Sequence, residues 1–366
     1  MPSVTSGAEW IHLGMDVSKD AIVVGVLHPG EEVPVVDRIF NDEASLRRLV
    51  GRFRDRSRLA ACYEAGPGGY ELHRLLTSMG VACDVVAPSL IPKGAGERVK
   101  TDRRDAIRLA RLHRAGELTA IRVPTIAEEA VRDLVRTRAD LLDDRRRAQQ
   151  RINAFLLRHG RVWRGGVRWT KIHRQWVASQ VFDEPALTAT LATYRAALMA
   201  REAELAALEA QLHELAQCEP LHAAVSRLGC YRGIAELTAL TLAAEVVDWH
   251  RFASARAFMS YSGLIPTEYS SGDRIRRGGI TKAGSEPVRT ALTESAWSYQ
   301  HRPTIGAPLR RRQQDATAET LARSWKAQQR LCGKFRRMAK AGKSPAVTVV
   351  AVARELAGFV WAEMTS

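Results

Sequence analysis

The sequence has few of the residues that build cross-linked or zinc-stapled folds. It contains five cysteines in 366 residues, and none of them forms a Cys-x-x-Cys pair. This scatter argues against a disulfide framework or a zinc site and fits a reducing compartment. The beginning of the chain lacks a basic flank followed by a clean apolar core, so we expect no signal peptide. The most apolar late stretch, residues 346–361, contains Arg354 and Glu355 and predicts an amphipathic helix rather than a membrane span.

Acidic residues are scarce relative to basic ones. Lys and Arg number 55 against 40 Asp and Glu, which gives a formal net charge of +15. A balance of this size points to a polyanionic partner, most often nucleic acid, although a GC-rich genome also enriches Arg. The hydrophobic content of 46% suffices for packed cores, and the length predicts two or three domains.

Residues 9–123 alternate between strand-like and helix-like patterns. Short runs rich in Val, Ile and Ala predict strands at 10–17, 21–27, 33–40, 59–64 and 82–87. Apolar residues at helical spacing predict helices at 42–53, 70–79 and 102–114. Three successive strands followed by strand–helix–strand units predict an α/β domain with a mixed sheet and helices on its faces.

Residues 124–217 show heptad spacing. Thr125 and Glu128 form a capping box just after Pro124, and apolar positions then alternate at three and four residues. A second seam runs from Leu187 to Leu215. The pattern predicts an α-helical coiled-coil hairpin or a dimer interface, with a plainly packed hairpin as the alternative.

Between these seams lies an insert, residues 161–185, in which Trp163, Trp169 and Trp176 stand among basic residues. Aromatic rings interleaved with cations can stack on bases, and they can equally cap the tip of a hairpin. The remainder, residues 218–366, predicts a mainly α-helical domain with Gly-rich turns and two basic segments.

Four carboxylates occupy positions that suit chemistry. Asp16 and Glu64 stand at the ends of predicted strands, where ligands gather in such sheets. Asp102 and Asp105 are three residues apart and share one face of a predicted helix. Four such acids brought together need cations between them, and oxygen ligands select Mg²⁺ or Mn²⁺. Each acid alone has a plainer interpretation, as a turn former or, for Asp102, as a helix cap.

The segments around these acids read G-M-D-V-S-K, Y-E-A-G-P-G-G-Y and K-T-D-R-R-D-A. Together they resemble the DEDD transposases of insertion sequence family 110, which are related to the pilin-gene invertases. The resemblance implies a RuvC-like, ribonuclease-H-type domain over residues 9–123. It also implies that Asp16, Glu64, Asp102 and Asp105 are catalytic ligands of two Mg²⁺ or Mn²⁺ ions.

The second half carries further motifs. Y-S-G-L-I-P ends at Pro266, Y-S-S-G at Gly272 and R-G-G-I-T-K-A-G at Gly284, and Arg289 follows. This order resembles the family's C-terminal transposase domain and implies that Ser271 is the nucleophile, with Ser270 as the competitor on chemistry alone. The basic residues expected to contact nucleic acid are Lys100, Arg103, Arg274, Arg276, Arg277, Lys282 and Arg289.

The resemblance implies an enzyme that cleaves and rejoins DNA through a covalent phosphoserine, guided by a structured bridge RNA. It further implies a homodimer that assembles to a homotetramer on double-stranded DNA, in the bacterial cytoplasm at the nucleoid. One alternative is a RuvC-like nuclease or junction resolvase that uses water as its nucleophile. Another is a non-enzymatic coiled-coil nucleic-acid-binding protein. Ser271→Ala would leave a resolvase active, and Asp16→Ala would leave a binding protein unaffected.

Overall fold

The computed structural model describes residues 9–92, 101–270 and 276–366. The chain forms two compact units, Met1–Thr125 and Ile126–Ser366, and each is described by itself.

The first unit is built on a mixed five-stranded sheet with strand order β3-β2-β1-β4-β5. Its elements are β1 (Ile11–Val17), β2 (Ala21–Leu27), β3 (Val35–Phe40), α1 (Glu43–Gly51), β4 (Leu59–Glu64), α2 (Glu71–Ser78), β5 (Ala82–Val86) and α3 (Asp102–Arg114). Strand β1 is antiparallel to β2 and parallel to β4, and β5 is parallel to β4. The predicted mixed sheet is confirmed. Strand β3 begins at Val35 rather than at residue 33, and Pro34 has no amide hydrogen to donate to a ladder.

The sheet buries both of its faces. Leu13 and Met15 of β1 pack with Ile22 of β2 and with residues of α1 and α2 such as Leu46 and Leu72. The alternate residues of β1 point to the opposite face, because strand side chains alternate. That second face is covered by α3, as Cys62 and Leu109 share a small core cluster there.

The second unit is mostly helical. Its elements are α4 (Ile126–Arg158), α5 (Lys171–Ala178), α6 (Pro185–Ala216), α7 (Leu221–Gly229), α8 (Glu236–Val246), α9 (Ala255–Tyr261), β6 (Pro266–Glu268), β7 (Arg277–Ile280), α10 (Glu286–Ala296), α11 (Ala307–Arg312), α12 (Ala318–Lys340) and α13 (Pro345–Met364). The predicted mainly helical character is therefore confirmed.

Helices α4 and α6 pack against each other in antiparallel directions. Arg138 near the start of α4 bonds Glu209 near the end of α6, with 2.7 Å between Nη2 and Oε1. Phe155 near the end of α4 contacts Tyr194 near the start of α6, with ring centroids 5.8 Å apart. The two long helices thus pair as a hairpin, and their coiled-coil geometry stays a prediction.

Helix α13 is the apolar helix expected late in the chain. Among the described residues it is the one helix whose length and composition would allow it to cross a membrane. Its residues Val349, Val352, Leu356 and Val360 belong to the main core of the second unit. This is the behaviour of a core helix, since those side chains are packed against other helices of the same unit.

Two buried glutamates tie the helices of this unit together. Glu363 of α13 has no exposed side-chain surface and accepts hydrogen bonds from Arg227, Arg323, Thr320 and Tyr231. Burial raises the pKa of this carboxyl, but hydrogen bonds from Arg323, Thr320 and Arg227 outweigh burial and leave its pKa below the ordinary value.

Glu245 of α8 is the second buried glutamate, with 2% of its side chain exposed. Arg136 of α4 donates to both of its oxygens, at 2.7 Å from Nε to Oε1 and 3.0 Å from Nη2 to Oε2. This bidentate pair joins the long hairpin to the C-terminal helices, because α8 belongs to their shared core.

Candidate active site

Asp16 and Glu64 lie side by side at the carboxyl ends of neighbouring strands. Met15 of β1 is in register with Tyr63 of the parallel strand β4, and the two acids are the next residues along. Residues in register on adjacent strands point to the same face, about 4.8 Å apart along the sheet. Asp16 is half-buried and Glu64 is exposed, so the pair stands at the rim of the sheet.

Helix α3 runs antiparallel to β1 on that same face. A Cβ atom built on Gly14 would lie 2.9 Å from Cα of Ala110 and closer still to the backbone of Ala106. At the far end of the helix, Nδ1 of His113 lies 3.2 Å from Nδ1 of His12. The end of α3 therefore lies over the start of β1, and the first turn of α3 lies toward Asp16.

The side chains of α3 form two rows along the helix, one on the side of β4 and the other on the side of β2. Asp102, Asp105 and Leu109 follow at three and four residues, and the carbonyl of Leu109 accepts from Sγ of Cys62 on β4 at 3.6 Å. The two aspartates therefore lie on the β4 side of the helix, the side of Glu64. Thr101 caps α3 by accepting from the amide of Arg104, so the interpretation of Asp102 as the helix cap is wrong.

Asp16 and Glu64 thus lie at the carboxyl ends of β1 and β4, and Asp102 and Asp105 lie in the first turn of α3, the helix that covers the same face of the sheet. In the ranges 9–92, 101–270 and 276–366, however, no three His, Cys, Asp or Glu side chains are grouped closely enough to hold a metal ion. The donors are all carboxylates, which is the chemistry that Mg²⁺ and Mn²⁺ prefer. The residue types fit a divalent cation, but the side chains of the described acids are not close enough to one another here to coordinate one together.

Sequence reasoning missed a buried histidine chain that holds α3 in place. Nε2 of His113 lies 3.2 Å from Oδ2 of Asp84 on β5, while its Nδ1 faces His12. If a neutral His113 donates its Nε2–H to the carboxylate, its Nδ1 accepts a hydrogen bond from Nδ1–H of His12. The signal was two histidines at otherwise apolar positions, His12 in β1 and His113 in α3, and only the fold pairs them.

Three of the five cysteines are buried, Cys83 is partly buried and Cys218 is exposed. All five are free. Burial raises the pKa of the Cys62 thiol well above its ordinary value, and it does the same for Cys83. A protonated thiol is a poor nucleophile and a poor metal ligand.

The Y-S-S-G motif, in which the nucleophile is predicted, falls between β6 and β7 in the sequence. Ser271 and Arg274 are outside the described residues, as is Lys100 in the first unit. Ser270 is described and exposed, and its Oγ donates to Oε1 of Glu268 at 2.9 Å. This hydrogen bond, followed by one from Arg277, lowers the pKa of Glu268. Glu268 is therefore a weak base for a serine proton.

The basic residues of this motif have different surroundings. Arg276 and Lys282 are exposed, and Arg277 pairs with Glu268 at 3.4 Å. Arg289 instead donates through Nη1 to the carbonyls of Ser262 at 3.3 Å and Lys282 at 3.2 Å. It ties together the two loops that flank β6 and β7.

The tryptophan insert forms the tip of the α4–α6 hairpin. The ring of His173 lies 5.3 Å from Trp163 and 5.0 Å from Trp169, and Trp163 lies 5.4 Å from Trp176. Trp169 and Trp176 also pack against the core cluster that contains Phe155. Of the two interpretations of these rings, capping of the hairpin tip is the one that the structure displays.

Comparison with known proteins agrees with these observations. Residues 13–160 match the model of the DEDD transposases of IS110 type, and residues 226–309 match that of the IS116/IS110/IS902 transposase family. The chain is 42% identical to y4qE of Sinorhizobium fredii, over 96% of this chain and 87% of that protein. It is 31% identical to the transposase for insertion sequence element IS1533 of Leptospira borgpetersenii, over 90% of this chain and 96% of that one. With the mixed sheet and its four acids, these matches show that the chain belongs to the IS110 family of insertion-sequence transposases, enzymes that cleave DNA and transfer its strands.

Proposed function

We propose that this transposase cleaves and rejoins DNA through a covalent phosphoserine, with Ser271 as the nucleophile and divalent cations held by Asp16, Glu64, Asp102 and Asp105. The metal part is supported by the positions of the four acids: Asp16 and Glu64 at the carboxyl ends of neighbouring strands, and Asp102 and Asp105 in the first turn of the helix that covers the same face. Two Mg²⁺ or Mn²⁺ ions, when bound, would stabilise the charge that develops on the phosphate.

In the proposed step the Ser271 hydroxyl oxygen forms a bond to phosphorus and the bond from phosphorus to the 3′ oxygen breaks. The serine proton leaves to a base or to solvent, and the departing 3′ oxygen takes up a proton to become a hydroxyl. The phosphodiester energy is kept in the serine ester, so reversal of the attack by another 3′ hydroxyl rejoins DNA without an energy cofactor.

The competing nucleophile is Ser270. Its hydroxyl is already bonded to Glu268, whose lowered pKa disfavours uptake of the serine proton. This favours Ser271. The cations proposed to hold DNA are Lys100, Arg103, Arg274, Arg276, Arg277 and Lys282, with Arg289 acting through the loops it bonds.

The proposed recombination also implies an oligomer and an RNA partner. Recombination joins four strand ends, so we expect a dimer of dimers, with heptad positions of the α4–α6 hairpin at the interface. A structured RNA would read sequence by base pairing while the protein binds backbones. Such an enzyme acts at the nucleoid.

The test is an adduct assay. The purified protein, its co-purified RNA and DNA with the element's ends are incubated with Mg²⁺, and the linked residue is mapped by mass spectrometry. We expect an adduct at Ser271 that disappears in Ser271→Ala and persists in Ser270→Ala. Hydrolytic cleavage that survives in Ser271→Ala without an adduct would instead favour a resolvase that uses water.

Cation binding is tested separately by calorimetry with Mn²⁺. Asp16→Asn should weaken binding, whereas Asp20→Asn should not, because Asp20 is an exposed acid in the turn between β1 and β2. Equal affinities in the two variants would contradict the proposed ligand set.

A further inference from the structure

The face that carries the acids continues across the sheet to its edge strand. Asp16 is in register with Val23 of β2, and Val23 is in register with Arg38 of β3. Side chains of one such row point to the same face. Arg38 therefore stands two strands, about 10 Å, from Asp16 on the face of the acids.

Phe40 follows Arg38 by two residues and shares its face. Its register partner is Ala21, which belongs to the same alternating set of β2 as Gly25, whose backbone approaches α3. Yet Phe40 is 71% exposed, an unusual state for a large ring on a strand. The ring stands beyond the helix that covers the rest of this face.

Arg103 of α3 lies in the other row of side chains along that helix. It precedes Ile107 by four residues, and the amide of Ile107 is close to Gly25 of β2. The row with Arg103 thus faces β1 and β2, while the aspartates lie on the β4 side. Within residues 9–92, 101–270 and 276–366, Arg38 and Arg103 make no side-chain hydrogen bond or ion pair.

From this arrangement we propose that Arg38, Phe40 and Arg103 bind an unpaired segment of the DNA strand beside the scissile phosphate. The two guanidinium groups would hold backbone phosphates, and a base would stack on the ring of Phe40. The stacked base must be unpaired, because an exposed side-chain ring has no access to a base inside a duplex stack. A single ring flanked by cations is complementary to a nucleic-acid strand, and too small an apolar area for a protein partner.

The inference rests on the proposed role of the four acids, since they define where the scissile phosphate lies. Its test is therefore made without cleavage, in EDTA. The full chain is titrated into DNA that carries 2-aminopurine, either in a short single-stranded gap or in a complete duplex. Stacking changes the fluorescence of this base, so the signal reports the proposed contact directly.

Phe40→Ala should weaken binding to gapped DNA about 5- to 150-fold and remove the fluorescence change, and Phe40→Trp should restore both. The matched control is Val35→Ala, which lies on the opposite face of the same strand and is 62% exposed. Arg38→Ala and Arg103→Ala should each reduce the salt slope of binding by about 0.7, whereas Arg54→Ala beyond α1 should not.

Three outcomes would overturn the assignment. They are equal binding by Phe40→Ala and Val35→Ala, an equal loss on gapped and complete duplex, and an effect of Phe40 confined to an RNA oligonucleotide of the same sequence. Thermal unfolding of each variant separates a lost contact from a lost fold. The binding test contains EDTA and the adduct assay contains Mg²⁺. Absence of the Phe40 effect would therefore not prevent an adduct at Ser271, and absence of an adduct would not prevent the Phe40 effect.

Discussion

Replacing Gly14 by alanine tests the feature that positions the acids. The new Cβ would lie within 3.0 Å of three backbone atoms of α3, contributed by Ala106 and Ala110. Backbone atoms cannot rotate aside as a side chain can, so the helix must move outward by roughly half an ångström or more. Overpacking of this kind costs about 1–3 kcal/mol of unfolding free energy.

The consequence for activity is larger than the consequence for stability. Asp102 and Asp105 lie on the displaced helix, whereas Asp16 and Glu64 stay on the sheet. A misplacement approaching 1 Å between groups that must act together can reduce a rate by about 100-fold. We therefore expect Gly14→Ala to fold at moderate cost and to lose most of its DNA cleavage.

The assays are urea unfolding and cleavage of DNA with the element's ends. Gly25→Ala provides a milder step, since its Cβ would lie 2.8 Å from the carbonyl oxygen of Ala106 and 3.2 Å from the amide of Ile107. Gly51→Ala is the control, with nothing within 4 Å. The loss of unfolding free energy and of cleavage should be largest for Gly14→Ala, smaller for Gly25→Ala and smallest for Gly51→Ala. Wild-type stability and cleavage in Gly14→Ala would refute the close approach of α3.

Three further outcomes follow from the second unit. Glu363→Ala should lower the unfolding free energy by about 3–5 kcal/mol, because it strands two arginines around a buried site, and a urea melt measures it. Since the pKa of Glu363 is lowered in the fold, its stabilisation is present above pH 4.5 and is lost as the pH falls through the lower folded value. Glu363→Gln should reduce this loss of unfolding free energy at low pH. An unchanged loss in the variant would contradict the role given to Glu363. Arg136→Ala should cost about 2 kcal/mol, discounted because half of this arginine is exposed, whereas Arg146→Ala, in an exposed pair, should cost under about 0.5 kcal/mol. Burial, with repulsion from neighbouring arginines, lowers the pKa of His173, so the hairpin tip should lose stability as the pH falls below about 6.5. Near-ultraviolet circular dichroism of the tryptophans would follow this loss, and His173→Gln should abolish it.

The sequence was sufficient to predict most of the elements and to name candidate acids. Short runs rich in Val, Ile and Ala predicted β1 to β5, because strands buried on both faces are apolar over several consecutive residues, which is a local pattern. Strand ends and helical spacing, which are also local properties, marked Asp16, Glu64, Asp102 and Asp105 as candidates, and their role as ligands stays a prediction. The role of Ser271 was inferred from the resemblance alone, and this residue lies outside the described residues.

What only the tertiary structure decided depends on register and on distance through space. The pairing of His12 with His113, the burial of Glu363 among arginines and the row from Arg38 to Glu64 each join segments that are far apart in the chain. No local pattern encodes such contacts, because they exist only once strands have paired in one register. Gly14 shows the difference well. In the sequence it is a glycine inside a strand, and in the fold it is the place where a helix comes close enough to carry two aspartates toward the sheet.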